Sequence, residues 1–116
     1  MNIIAKSSNI ASSFDLYKLV QSPERKKLTD VKGAVLELDK WVSYSEPDKK
    51  TGAEMNLLAF STTDGSCYCT NSSTFCRSFN DAVAMFQQFG EEFHTIRVNV
   101  GTSKNGREFI DCVVVG

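Results

Sequence analysis

The sequence predicts a mainly β fold, a small barrel with one helix inserted between its third and fourth strands. Two observations predict it. Apolar and polar residues alternate in successive segments after residue 30, which is the period of a half-buried strand. One segment, Phe75 to Gly90, instead repeats bulky residues every three to four positions, the period of a helix face. The length of 116 residues suits one domain with one core.

The first predicted strand is the longest and begins near Val31. Its alternation places Ala34, Leu36 and Leu38 on one face, and Val35, Glu37, Asp39 and Trp41 on the other. A charged, turn-rich loop over residues 45–52 follows, and the second strand runs from Met55 to Phe60. These two strands therefore form a predicted hairpin with a long, charged tip.

The third strand, Cys67 to Thr70, follows a turn at Asp64-Gly65, a pair favoured where two successive residues need positive φ. The fourth strand is predicted from His94 to Val100 and the fifth from Phe109 to Val115. A turn over residues 102–107 joins these last two strands.

The predicted helix lies between the third and fourth strands. Its stripe consists of large apolar side chains, namely Phe75, Phe79, Ala82, Val83, Phe86 and Phe89. Such a stripe is typical of a helix that buries one face, so we expect it to pack on the barrel as core and not to form a ligand groove. Ser72, Ser73 or Ser78 can cap its start, and Gly90 is a natural stop.

Residues 1–30 precede this pattern and form a predicted N-terminal extension that is partly helical. Phe14, Leu16, Tyr17, Leu19 and Val20 have the spacing of one short amphipathic helix, which we expect to pack on the outside. The remaining residues, 31–116, have the element order of the OB-fold. That fold is a partly open, five-stranded Greek-key barrel that binds oligonucleotides on strands two and three and through its first and last hairpin loops.

Composition limits the classes of function. The net charge is −1, so the molecule is not a basic particle that binds duplex DNA by bulk electrostatics. The start of the chain has no secretory leader pattern, which predicts a reducing cytoplasm for its four cysteines. Cys67 and Cys69 on one strand face would sit about 7 Å apart, wide for a zinc knuckle. We therefore expect buried thiols, with no metal and no cofactor.

Catalytic signals are weak in this sequence. There is one histidine, His94, and no serine lies at a recognisable nucleophile turn. The run Gly101-Thr102-Ser103-Lys104 is not a P-loop, because it joins two strands and not a strand and a helix. We expect a binding protein and not an enzyme.

Two turn segments carry a resemblance to a known family. The runs Thr63-Asp64-Gly65-Ser66-Cys67-Tyr68 and Gly101 to Phe109 resemble the small single-stranded-DNA-binding proteins of bacteriophages that replicate by protein priming. The resemblance covers residues 31–116. It implies an OB-fold, no catalysis, no cofactor, and binding by aromatic stacking on DNA bases. It also implies a role for Tyr68, which follows the matched turn, and more weakly for Trp41 and Tyr44 on the first strand.

The residues themselves suggest how such binding would work. If Cys67 and Cys69 point into the barrel, Tyr68 points outward, and Trp41 shares an outward face with Glu37 and Asp39. Tyr44 falls on the other face unless a bulge shifts the register. Basic side chains that could neutralise phosphates accompany these rings, namely Lys49, Lys50, Arg97, Lys104 and Arg107.

The predicted function is sequence-independent binding that protects exposed single strands during phage DNA replication, in the host cell cytoplasm. Single-stranded DNA is the predicted partner, and this role implies replication proteins as further partners. The alternatives left open are an OB-fold that serves as a protein-interaction or structural module, a small domain stabilised by metal, and RNA as the nucleic acid, since stacking does not distinguish the two sugars.

Overall fold

The computed structural model describes residues 1–116 and confirms a mainly β fold. The elements, in chain order, are β1 Asn2–Lys6, α1 Ser13–Gln21, β2 Lys26–Lys27, a 3₁₀ helix Leu28–Val31, β3 Val35–Pro47, β4 Glu54–Thr62, β5 Cys67–Thr70, α2 Ser73–Gln87, β6 Thr95–Thr102 and β7 Glu108–Val114. The order of β3, β4, β5, α2, β6 and β7 is the one that the sequence predicts.

Strand β3 joins the two parts of the sheet. Its first residues, Val35–Glu37, pair with β6, and from Leu38 onward it pairs with β4. The register shifts between Leu38 and Trp41, and such a bulge bends a strand and increases its twist. The sheet therefore curls around the core, and its strands follow the order β2-β5-β4-β3-β6-β7.

The number of strands differs from the prediction of five. The sheet has seven, because the N-terminal extension contributes β1, which pairs with β3, and β2, which pairs in parallel with β5. Sequence reasoning missed both, since β1 is short and exposed and β2 has only two residues. The sheet does not close into a barrel: its path ends at β2 and β7, which leaves a half-barrel with a seam between the β2–β5 edge and β7.

The hairpin turns lie where the sequence places them, but one has a different conformation. At Asp64-Gly65 only the glycine has positive φ, so the predicted pair of positive φ values is wrong. Gly65 donates its amide to the carbonyl of Thr62, and Thr62 donates to the carbonyl of Ser66. This is a three-residue loop that ends in a left-handed glycine, and Gly106 closes the β6–β7 turn in the same way.

Helix α2 closes one side of the core, as its stripe predicts. Ser72 caps it by accepting a hydrogen bond from the amide of Phe75. Phe75, Phe79 and Val83 are buried in the main cluster of fifteen residues. Phe89 lies beyond the last helical residue, Gln87, and is 80% exposed, so it is not part of the buried stripe.

A second, smaller cluster lies on the opposite face of the sheet, under α1. Leu19 and Val20 from the helix pack with Ile10 on Val42, Tyr44 and Ala59 from β3 and β4. The helix thus packs on the outside of the sheet, as expected. Both faces of the central strands are covered as a result.

No helix in the structure has the length and apolar character needed to cross a membrane.

Candidate nucleic-acid interface

The ring of Tyr68 lies inside the half-barrel and not on its surface. It is 4% exposed and stacks on Phe60, with ring centroids 5.2 Å apart and planes 25° apart. Cys67 and Cys69 take the opposite face of β5, where both are half-buried. The predicted outward orientation of Tyr68 is wrong, because burying a phenol ring removes more apolar surface from water than burying a thiol does.

The predicted exposure of Trp41 is also wrong. The bulge in β3 places Leu38 and Trp41, three residues apart, on the same inward face. The indole ring is 4% exposed and meets the ring of Phe79 edge-on, with centroids 5.0 Å apart. A base cannot stack on Trp41 in this position.

Tyr44 lies on the face of β3 opposite Trp41 and is buried beneath α1, with 2% of its surface exposed. Burial raises the pKa of its hydroxyl, and the neighbouring thiol of Cys69 adds to the rise. The three aromatic residues predicted to bind DNA are therefore all parts of the two cores.

Unlike the three aromatic residues, the predicted cations are exposed, and four of them lie at the tips of two hairpins. Lys49 and Lys50 are in the turn between β3 and β4, where the amide of Lys50 donates to the carboxylate of Asp48, 2.7 Å away. Lys104 and Arg107 are in the turn between β6 and β7. These are the first and last hairpins of the predicted five-strand unit.

Arg97 is exposed too, but it lies elsewhere. On β6 it pairs with Val113, and four residue pairs separate it from the Thr102–Glu108 pair beside the turn. At about 3.3 Å per residue, that puts Arg97 some 17 Å along the strand from the hairpin tip. The structure does not bring it together with the other four cations.

A groove runs past the last residues of β5 and reaches β7 at Glu108, Phe109 and Ile110. It consists of two hollows that share Thr29, Thr70 and Asn71. We call this the seam groove. Its lining includes Lys27, Thr29, Lys32, Thr70, Asn71 and Phe109.

Each cationic hairpin is linked to the seam groove through one of its strands. Glu108 and Phe109 line the groove and directly follow Arg107 in the β6–β7 turn. Asn71, which both hollows share, approaches the sulfur of Met55 at 3.9 Å, and Met55 pairs with Glu46 on the strands that lead to the β3–β4 turn. The four hairpin cations lie beyond the lining of the groove.

Phe109 supplies an exposed ring in the groove. It pairs with Gly101 across β6 and β7, and a Cβ built on Gly101 would lie 2.4 Å from the ring atom Cζ. The end of the ring thus packs against a backbone position where only hydrogen fits. It keeps 36% of its surface exposed, so one part is held firmly and another part is open to a ligand.

Acidic charge in the groove is small. Lys32 forms an ion pair with Glu108, the acidic residue of the lining. The only other ion pair in the chain joins Lys40 and Asp39, so Lys27 and the four hairpin cations are unpaired. The N-terminus of α2 also opens here, since Ser72, Ser73 and Thr74 line the groove, and a helix N-terminus favours anions.

The family model for phage single-stranded DNA-binding protein matches residues 5–114 of this chain. The chain belongs to the phage single-stranded DNA-binding protein family. This confirms the resemblance seen in the two turn segments. The match begins at residue 5, near the start of the N-terminal extension, so α1 and β2 lie within the family region, which is longer than the residues 31–116 that the sequence suggested. No curated protein and no solved structure matches the chain.

Sequence reasoning missed Phe109 and Lys27 as groove residues of this family member. A signal for Phe109 was present, because Ile110 and Cys112 alternate with it and are buried, which turns position 109 outward. No comparable signal marks Lys27, whose place depends on the parallel pairing of β2 with β5.

Proposed function

We propose that this protein binds single-stranded DNA along the seam groove, without sequence preference, and protects exposed strands during phage DNA replication in the host cytoplasm. The observation that carries the proposal is the groove itself, an open channel with an exposed ring, with the unpaired Lys27 in its lining and further unpaired cations on the two hairpins whose strands lead to it. Membership of the phage single-stranded DNA-binding protein family supports the choice of ligand.

The fold is consistent with this choice. We propose that residues 31–116 form an OB-type barrel opened at the seam, with β3 to β7 and α2 in the order expected of that fold. In an OB-fold the first and last hairpin loops flank the bound oligonucleotide, and here they carry Lys49, Lys50, Lys104 and Arg107. Those loops support a path for the strand from one turn to the other.

Binding combines two physical effects. Cations at the turns and Lys27 neutralise phosphates and release counterions, and a base stacks on the ring of Phe109. Neither contact reads the edge of a base, so the interaction tolerates any sequence. A duplex buries its bases in pairs and offers no free face to Phe109, so the site favours single strands.

The charge contribution is local and moderate. If the four hairpin cations and Lys27 each meet a phosphate, log K falls with log salt with a slope of roughly −3 to −4. Two features oppose tight binding. The protein carries no net positive charge, and Glu46 and Asp48 near one turn repel the phosphates of DNA. We infer that the protein covers a strand by abundance more than by affinity for each site.

A pair of variants on one strand tests the site. Phe109 and Val113 lie on the same face of β7 and are 36% and 37% exposed, but only Phe109 lines the groove. Phe109→Ala is expected to weaken oligo(dT) binding by roughly five- to 150-fold, the loss of about 1–3 kcal/mol of stacking. Val113→Ala should bind as the wild type does. Anisotropy titration of labelled oligo(dT) measures both.

Two results would count against the proposal. If both variants bound oligo(dT) with equal affinity, the seam groove would not be the DNA-binding site. If the wild type bound single-stranded and duplex DNA with equal affinity, the proposed function would be wrong.

A further inference from the structure

Two aromatic rings stand exposed on the outer face of α1, apart from the seam groove. Phe14 is 65% exposed and Tyr17 is 62% exposed. Their ring centroids are 6.5 Å apart and their planes differ by 16°. We call this pair the α1 platform, because two rings of nearly equal orientation offer parallel surfaces to planar ligands.

The helix holds the α1 platform in place. The amide of Asp15 donates to the hydroxyl of Ser12, and the carboxylate of Asp15 accepts from the amide of Ala11. On the opposite face, Leu19 and Val20 are buried in the second cluster. Rings on an anchored helix lose little further conformational freedom when a ligand binds.

Positive charge lies next to the α1 platform. The Nζ of Lys18 is 5.5 Å from the ring centroid of Phe14, and Lys18 forms no ion pair. Residues 18–27 contain four basic residues, Lys18, Arg25, Lys26 and Lys27, against the single acid Glu24, a net charge of +3. Exposed rings with cations beside them are the elements of a single-strand binding surface.

Basic side chains also line a hollow beside α1, on the side of the β4–β5 turn. Lys18 and Lys40 line it together with Cys67, and Lys26 donates to the hydroxyl of Ser66 in that turn at 3.3 Å. Two acidic residues also line the hollow. The carboxylate of Asp15 accepts a hydrogen bond from the amide of Ala11, and the carboxylate of Asp39 forms an ion pair with Lys40.

The hollow and the seam groove are neighbours along β5. Cys67 lines the hollow, Cys69 lines the seam groove, and the two residues share one face of the strand. Lys27 pairs with Cys69 in the parallel ladder and lies in the groove. Between the groove and the hollow, the side chain of Lys26 reaches Ser66, and Lys18 lines the hollow itself.

From this arrangement we propose that the α1 platform is a second stacking site for the same single strand, which holds bases that extend beyond the seam groove. The proposal rests on the proposed function, since the groove supplies the first part of the path. It adds a ligand role for the N-terminal segment, with nucleobases on Phe14 and Tyr17 and a phosphate near Lys18.

Oligonucleotide length separates the two sites. A short oligo(dT) of about 6 nucleotides fills the groove alone, whereas one of about 20 nucleotides also reaches α1, given typical site sizes for such folds. For the double variant Phe14→Ala/Tyr17→Ala, affinity for the long oligonucleotide should fall about tenfold or more, and affinity for the short one should stay unchanged. The conservative variant Tyr17→Phe keeps the ring and should bind both as the wild type does.

A matched control uses another pair of exposed apolar side chains. Met85 and Phe89 are 63% and 80% exposed near the end of α2, beside Glu91 and Glu92, where DNA phosphates are repelled. Met85→Ala/Phe89→Ala should bind both oligonucleotides normally. Melting temperatures of all variants should agree with the wild type, because the replaced side chains are exposed.

The outcomes are distinct. If the wild type binds neither oligonucleotide, the proposed function fails. If the wild type binds and responds to Phe109→Ala, but the Phe14→Ala/Tyr17→Ala variant binds long oligo(dT) normally, the second site alone is overturned. Unchanged DNA affinity with a loss of self-association in sedimentation would overturn it as well, and would assign the rings to a contact between copies of the chain.

Discussion

The hydroxyl of Ser78 on α2 accepts a hydrogen bond from the backbone amide of Cys112 on β7, 2.7 Å away. One helical turn earlier, the hydroxyl of Thr74 donates to the carbonyl of Ile110, at 2.6 Å. Two side chains of the helix thus occupy backbone groups on the free edge of β7, which has no strand partner on that side. An unpaired edge invites association with other strands, and the helix covers it here.

Removing this acceptor should destabilise the fold. Ser78→Ala leaves a part-buried amide of Cys112 without its partner, so the free energy of unfolding should fall by about 1–3 kcal/mol. Ser73→Ala is the control, since Ser73 is exposed on the same helix and its side chain makes no hydrogen bond. Urea unfolding followed by circular dichroism measures both. Equal midpoints would show that the helix does not protect the edge through Ser78.

The packing of Phe109 on Gly101 leads to a second prediction. In Gly101→Ala the new methyl group would lie 2.4 Å from Cζ of Phe109, so the ring must swing away from its position. Affinity for oligo(dT) should fall severalfold, although no groove side chain is removed. Thr102→Ala, at the next and exposed position, should bind normally. A titration in which Gly101→Ala binds as tightly as the wild type would contradict the role of a fixed ring.

Tyr68 provides a third prediction, which follows from its burial. Tyr68→Ala removes a ring that stacks on Phe60 in the core, and the free energy of unfolding should fall by about 3–5 kcal/mol. Tyr68→Phe keeps the ring and should retain both stability and DNA affinity. Chemical denaturation of the two variants distinguishes them. If Tyr68→Ala lowered DNA affinity at unchanged stability, the ring would be a base contact and not a core residue.

The cysteines allow a fourth prediction that depends on pH. Burial raises the pKa of the Cys76 thiol to about 11 and of the Cys112 thiol to about 12, above the ordinary value of 9.0. Thiol reagents attack the thiolate, so these two should react slowly in the native protein at pH 8, while the half-buried Cys67 and Cys69 react first.

The same shifts link the buried thiols to stability. In the unfolded chain they lose their protons above about pH 9, whereas the folded chain retains them. The unfolded state is therefore increasingly favoured as pH rises above 9, and the stability contributed by Cys76 is lost up to about pH 11 and that contributed by Cys112 up to about pH 12. For the reactivity of the thiols at pH 8, mass spectrometry after a brief pulse of thiol reagent measures how fast each of the four cysteines is labelled. Equal rates at all four cysteines would contradict the assigned burial.

The sequence predicted the elements of this protein better than the faces of its strands. Phe75, Phe79 and Val83 are buried along one face of α2, as the sequence predicts, because a helix that packs on a core buries only one of its sides. The glycine turns at Gly65 and Gly106 lie at the predicted places, since few residues adopt their positive φ.

The orientation of the rings could not be predicted, for two physical reasons. A single bulge in β3 between Leu38 and Trp41 reverses the alternation, and no residue type marks it in advance. In addition, α1 covers the outer face over Tyr44 and Ala59, so the central strands are apolar on both sides. Alternation distinguishes a core face from a solvent face, and fails where both faces are buried.

The most direct test maps where a strand touches the protein. Oligo(dT) with iodouracil in place of thymine is cross-linked by light to the wild-type chain, and tryptic peptides are identified by mass spectrometry. Cleavage after Arg107 isolates residues 108–116 with Phe109, and cleavage after Lys6 and Lys18 isolates residues 7–18 with the α1 platform. Cross-links in residues 108–116 are the predicted result for the seam groove. Cross-links confined to residues 78–97, which contain the exposed Phe89 of the acidic end, would contradict it.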